Sequence, residues 1–211
     1  MSRRTNRIAA LSTVLAALAT VSADASAALV SNGGFETGDF SGWTLSSNSQ
    51  PSQNTVTNAA PKSGVYAARL GQVDLGIIYP THNEATLSQT IQTVIGQDYT
   101  WSFWLANSKC LGTTYTNQCG TGDFSARFGD NTRTIVPFGA PTNPFDYVFF
   151  SFTDTATSSS TTLSFTFLHN PGHWRLDDVS VTATAVPLPA AAWLLASTLL
   201  GLFGVARVRT A

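Results

Sequence analysis

Charge is what this sequence has least of. Only 11% of its residues are Asp, Glu, Lys or Arg. Five of the eleven basic residues sit at the ends, as Arg3, Arg4, Arg7, Arg207 and Arg209. Between Ala28 and Thr184 six basic residues stand against eleven acidic ones, a balance of −5. Binding to nucleic acid needs a basic patch, and this body has none, so nucleic acid is not an expected partner. Helical patterning is missing too. No stretch of the body shows an apolar period near 3.6, which argues against a helical domain. There is no Gly-x-Ser-x-Gly elbow and no Gly-Lys-Ser/Thr phosphate loop. The three histidines form no catalytic set: His82 lies in a loop, and His169 and His173 flank Asn170-Pro171-Gly172, which reads as a turn. An enzyme is therefore not expected.

Cysteine is also scarce. Cys110 and Cys119 are the only two, and they frame a loop rich in Gly, Thr and Asn. Two thiols are too few for a metal site, and Lys109 is the only basic neighbour that would activate one. In an exported chain the expectation is a disulfide between them.

Export is what the N-terminus suggests. Arg3, Arg4 and Arg7 precede the apolar run Ile8–Val21, and Ala25-Ser26-Ala27 is a small-residue cleavage site, so residues 1–27 read as a signal peptide. At the other end, residues 190–206 carry no charge and are followed by Arg207 and Arg209. That is the short end of a membrane span, with the positive tail on the cytoplasmic side.

What fills residues 28–184 is strand-like. Runs of Val, Ile, Thr, Phe, Tyr and Trp alternate with clusters of Gly, Asn, Asp and Ser. Strands are expected around Ala28–Asn32, Trp43–Leu45, Val65–Leu70, Ala85–Thr93, Tyr99–Asn107, Phe124–Phe128, Thr132–Val136, Tyr147–Asp154, Thr161–His169 and Trp174–Thr182. This spacing predicts an all-β, two-sheet antiparallel sandwich. Alternation assigns the faces. Tyr99, Trp101, Phe103 and Leu105 turn to the core, and Trp104 turns out. Leu163, Phe165 and Phe167 turn in. Val148, Phe150 and Phe152 turn in, leaving Tyr147 and Phe149 on the polar side.

Two resemblances follow from ordered motifs. Val186-Pro187-Leu188-Pro189-Ala-Ala-Ala-Trp-Leu-Leu195, with its apolar run and arginines, resembles the PEP-CTERM sorting signal of Gram-negative bacteria. This implies an exosortase acting at Pro187-Leu188-Pro189, transient residence in the inner membrane, and delivery to the cell surface or extracellular matrix; residues 185–211 form that signal. The body resembles the galactose-binding-like jelly-roll carbohydrate-binding modules of the family 4/9 type. The matching pieces are Asn32-Gly-Gly-Phe-Glu36 with Gly42-Trp43, Lys62–Gly71, Leu87–Ile91 with Gly96–Trp104, Tyr147–Thr153 and Leu176–Val181. This implies a polysaccharide or other glycan as partner.

The stretch Asn32–Trp43 gathers four glycines and three aromatics around Glu36. In the resembling family the acid of this motif helps hold a structural Ca²⁺ with an Asp near the last strand, here Asp177 or Asp178. Calcium takes carboxylate and carbonyl oxygens, and a glycine-rich loop exposes carbonyls. Alternation puts Asp177 on the face of Val179 and Val181, where a carboxylate must be paired or bound, so Asp177 is preferred. Carbonyls near Lys62 and Ser63 would complete the set. The plainer alternative is a solvated turn acid with a salt bridge to Arg175 or Arg69. A glycosidase pair also needs two carboxylates, but an aromatic-rich turn leaves no room for a sugar. For glycan contact the outward aromatics Trp104 and Tyr147 are candidates, with Arg127 alternating out of Phe124, Ala126 and Phe128. The competing expectation is a structural or adhesive matrix protein that binds no free sugar.

Overall fold

The computed structural model describes residues 29–47, 54–72, 84–107, 120–141 and 145–185. They hold nine strands: β1 (Thr44–Ser46), β2 (Thr55–Thr57), β3 (Ala67–Gln72), β4 (Ala85–Gln92), β5 (Asp98–Asn107), β6 (Gly120–Phe128), β7 (Asn131–Pro141), β8 (Phe145–Thr155) and β9 (Ser160–Ala183). Every strand pair is antiparallel. No helix occurs among the described residues.

Two five-stranded layers share one strand. The first half of β9 lies between β4 and β6, with Leu87 opposite Phe165 and Phe124 opposite Phe167. This makes sheet one, ordered β1-β4-β9-β6-β7. The second half lies between β3 and β5, with Leu70 opposite Trp174 and Trp101 opposite Val181. This makes sheet two, ordered β2-β3-β9-β5-β8. The result is an all-β sandwich of jelly-roll type.

The core follows from period-two alternation in the central strands. Tyr99, Trp101, Phe103 and Leu105 of β5 are buried, as are Leu163, Phe165 and Phe167 of β9. The rings meet across the layers: Phe103 and Phe165 lie edge to face at 5.1 Å, and Trp101 stacks on Phe128 at 6.2 Å. Buried Trp101 keeps its indole N–H satisfied by donating to Asp154 Oδ2 at 2.8 Å. Arg133 pairs with the same carboxylate at 2.7 Å.

Three expectations are corrected. Asn170-Pro171-Gly172 does not turn the chain; β9 runs through it, because the strand changes sheets there and finds new partners on both sides. His169 is therefore not a surface or turn residue. It is fully buried, hydrogen-bonded to Asn107 at 2.8 Å and packed against Trp174. Of the strand expected at Ala28–Asn32, the described residues 29–32 contribute none: Leu29 N–H donates to the Val181 carbonyl, after which the chain bends. Val148 shares the core-side face of Phe150 and Phe152 but is 44% exposed, because β8 is an edge strand. The short β2 was not anticipated from sequence; three residues show no readable period.

The Asn32–Trp43 loop is bound to both layers. Gln89 of β4 accepts from Ser31 N–H and donates to the Ser31 and Gly42 carbonyls at 2.7–2.9 Å. Phe35 is fully buried against Phe40 and Trp43, even though its own φ is +58°. On the sheet-two side the Gly33 carbonyl accepts from Val179 N–H at 2.9 Å. A Cβ on Gly33 would lie 2.0 Å from the Val179 carbonyl oxygen, which is backbone and has no rotamer to yield. Gly33→Ala is expected to cost roughly 2 kcal/mol or more, read by urea denaturation. A loss below about 0.5 kcal/mol would show that the loop is not held against β9.

Candidate functional site

The sequence candidates of sheet two collect at one end of its outer face, beneath the segment 59–66. Trp104 and Asp177 are cross-strand partners on β5 and β9. This overturns the face expected for Asp177. Leu176, opposite Leu105, is in the core, and so are Val179 and Val181. The register slips between them, and Asp178 occupies the extra position with φ +50°. A bulge of this kind inverts the alternation beyond it. Asp177 thus points away from the core yet is fully buried, because the 59–66 segment covers it.

Backbone N–H groups hold these carboxylates. Asp177 Oδ2 accepts from Lys62 N–H at 2.8 Å and Ser63 N–H at 3.3 Å, while Oδ1 accepts from Asp178 N–H at 2.7 Å. Asp178 Oδ1 accepts from the Ser63 hydroxyl at 2.7 Å. Glu36 accepts from Val65 and Tyr66 N–H at 3.0–3.1 Å. Those bonds explain why β3 begins at Ala67 and not at Val65. Lys62 and Ser63 thus face Asp177 with their N–H groups.

The three acids are neighbours. A Cβ on Gly34 would lie 3.6 Å from Glu36 Cγ, 3.8 Å from Asp178 Oδ1 and 3.9 Å from Asp177 Oδ1. Gly64, at φ +60°, passes against the Glu36 carboxylate so closely that a Cβ there would lie 2.2 Å from Oε1. Among the described residues the ion pairs are Arg127–Asp130 and Arg133–Asp154, so the expected alternative of a salt bridge to Arg175 or Arg69 is not formed. Arg175 instead donates to the Ala59 carbonyl, and Arg69 contacts His173. Burial pushes the Asp177 carboxyl up to about 6, against the lowering effect of the N–H donors. No group of three His, Cys, Asp or Glu side chains among the described residues is arranged to hold a metal.

The aromatic part adjoins the acids. Trp104 is half-buried, and its ring meets Phe149 of β8 at 5.1 Å. Lys62 Nζ sits 4.2 Å from the Trp104 ring centroid, a cation–π contact. Phe149 is 50% exposed. Down the same face run Ser102 opposite Ser151 and Thr100 opposite Thr153. Tyr147 points the same way, but its hydroxyl donates to the Ala60 carbonyl at 3.1 Å and so anchors the covering segment. Burial, with help from Asp177, pushes that phenol up to about 12.

Arg127 is not part of this group. It lies on β6 in sheet one, paired with Asp130 at 3.2 Å. There it borders a shallow groove of about 410 Å³, with Thr157, Ser158, Thr162 and Ser164. Cys110, Cys119 and Pro187-Leu188-Pro189 lie outside the described residues, as do residues 1–27 and 186–211 of the expected end segments. Sequence reasoning missed Lys62 as the cation over Trp104. It stands 115 residues from Asp177, and no local pattern links the two.

No protein-family model matches the chain, and no curated protein sequence matches it. Solved structures do. The carbohydrate-binding module TmCBM61, determined with β-1,4-galactotriose, is similar at TM-score 0.53 and 18% identity, over 74% of this chain and 99% of that one. The enzymatically active domain of tailspike protein 4 of bacteriophage CBA120 is similar at 0.52 and 20% identity, over 74% of this chain and 21% of that one. The Stig cyclase Fisc from Fischerella sp. TAU is similar at 0.52 and 15% identity, over 76% and 98%. At these identities the likeness is one of fold. It places the chain in the class of jelly-roll sandwiches that includes carbohydrate-binding modules. The same class carries other chemistries, so function has to be argued from the site.

Proposed function

We propose that this is an exported, non-catalytic carbohydrate-binding-like protein of a Gram-negative cell surface or exopolysaccharide matrix. The observation that carries this reading is the Trp104–Phe149 ring pair on the outer face of sheet two. Its rings are partly open, and hydroxyls and the Lys62 ammonium lie beside it. Sugar rings present C–H faces that pack on aromatic rings, while their hydroxyls bond to polar neighbours. The fold likeness to a module determined with a galactotriose supports the same substrate class. Export by residues 1–27, sorting by an exosortase at Pro187-Leu188-Pro189 through the inner membrane, and a Cys110–Cys119 disulfide complete the proposal. The test is a glycan array with the purified protein, with and without EDTA. Binding of a defined glycan supports the reading. A blank array with self-association favours the structural matrix alternative, which gains weight from the bare edge of β8 described below.

We further propose a structural Ca²⁺ at Glu36, Asp177 and Asp178. What supports it is the negative charge gathered here: a fully buried carboxylate beside two others, with no described cationic side chain paired to any of them. Rotation of the carboxylates away from their N–H donors would free the oxygens it needs. The pH dependence tests it. Without metal, Asp177 holds its proton more tightly folded than unfolded. Its contribution to stability is therefore full below about pH 4 and lost as pH rises through about 6, by at most about 3 kcal/mol. Bound Ca²⁺ keeps the carboxylate ionised and removes that loss. Millimolar Ca²⁺ is expected to raise the Tm at pH 7 but not at pH 4, and Asp177→Asn to abolish the rise. An equal rise at both pH values would sink the assignment.

A further inference from the structure

The two five-stranded sheets have four edges, and three are guarded. β1 and β2 are three residues long. β7 carries Arg133 and Pro137. Short length, charge and proline are the usual means of keeping an edge from pairing with another chain. β8 has none of these between Tyr147 and Thr153, although the strand spans 11 residues. That stretch, Tyr-Val-Phe-Phe-Ser-Phe-Thr, has no charge, proline or glycine, which is the composition of strand segments that stack on one another. Among the described residues β5 is the only strand paired with β8. Val148 and Phe149 leave 44% and 50% of their surface open, one on each side of the sheet.

We infer that β8 is the docking edge for a second copy of this chain, pairing antiparallel to join the two copies of sheet two into one ten-stranded sheet. A second copy fits because the edge complements itself. Between Tyr147 and Thr153 it is uncharged, so there like meets like without repulsion. A two-fold axis centred on Phe149 sets Tyr147 against Ser151 and Asp146 against Phe152. An axis centred on Phe150 would set Asp146 against Asp154 and is disfavoured. The pairing places the two Trp104–Phe149 ring pairs on one continuous face. The tryptophans then stand three strand spacings apart, about 14 Å, so one long glycan can cross both pairs. That last consequence rests on the glycan reading; the association itself does not.

Sedimentation equilibrium of the purified full-length chain in detergent, without glycan, tests it over about 1–100 μM. The expected result is a monomer–dimer equilibrium that Val148→Lys weakens at least tenfold. Thr132→Lys, at the guarded β7 edge, is expected to leave it unchanged. If Val148→Lys does not fold, Ser151→Lys takes its place, since Ser151 is exposed on the same strand. A monomer at every concentration overturns the inference. So does a dimer that neither lysine weakens, since association then runs through another surface. A dimer together with a blank glycan array leaves the docking edge standing and removes the sugar.

Discussion

Phe103→Ala is expected to lower the unfolding free energy by roughly 3–5 kcal/mol. Phe103 is fully buried on β5, and its ring touches both layers. Within sheet two it meets Trp101 at 6.2 Å, Phe150 at 5.3 Å and Phe152 at 6.4 Å. Across the sandwich it meets Phe165 at 5.1 Å and Phe124 at 6.2 Å. Truncation removes the ring's transfer energy and leaves a cavity that rings anchored on several strands cannot all move to fill. A domain of this size holds on the order of 5–15 kcal/mol in total, so the loss is a large fraction of it. Urea denaturation reads the change. A loss under about 1 kcal/mol would mean that the layers do not pack through this ring.

Trp104→Ala is expected to weaken glycan binding tenfold to a hundredfold, about 1.4–2.7 kcal/mol. Trp104 supplies the larger flat ring of the partly open pair, and without it Phe149 stands alone on that face. Trp104→Phe is expected to recover part of the loss, because a smaller ring still stacks. Arg127→Ala, on the opposite sheet, is expected to change nothing. Isothermal titration with the glycan selected on the array gives the constants, and far-UV circular dichroism checks the fold. Unchanged affinity in a folded Trp104→Ala protein would remove this face from the function. The variant also loses the Lys62 contact, but a partly exposed cation–π pair contributes only about 0.5–1 kcal/mol, too little to unfold the sandwich.

Legibility in the sequence followed the range of each interaction. The faces of β5 were readable because alternation is local: each residue's side is set by its neighbour's. The outward position of Trp104 and Phe149 follows the same rule. Alternation failed at Asp177, where the bulge at Asp178 inverts it, and nothing in Leu-Asp-Asp-Val announces an extra residue. Turn chemistry misled at Asn170-Pro171-Gly172. Turn-forming residues there serve as the crossing of one long strand between sheets, a distinction set by which strands lie alongside.

The Asn32–Trp43 stretch shows the division most clearly. Its glycines and aromatics marked a tight, buried loop, and the structure has Phe35 buried and Gly33 against Val179. What the loop grips was beyond reading. Gln89, Val65, Tyr66 and Val179 come from three distant parts of the chain.

By itself, then, the sequence determined an all-β sandwich, its aromatic core and the outward Trp104, since patterning and propensity act over a few residues. Only the tertiary structure decided that acids and aromatics form one neighbourhood under residues 59–66, that Arg127 belongs to the other sheet, and that β8 is, among the described residues, the long edge without charge or proline at its centre. Each of these depends on register between strands far apart in the chain, and register is settled by the packing of the whole sandwich.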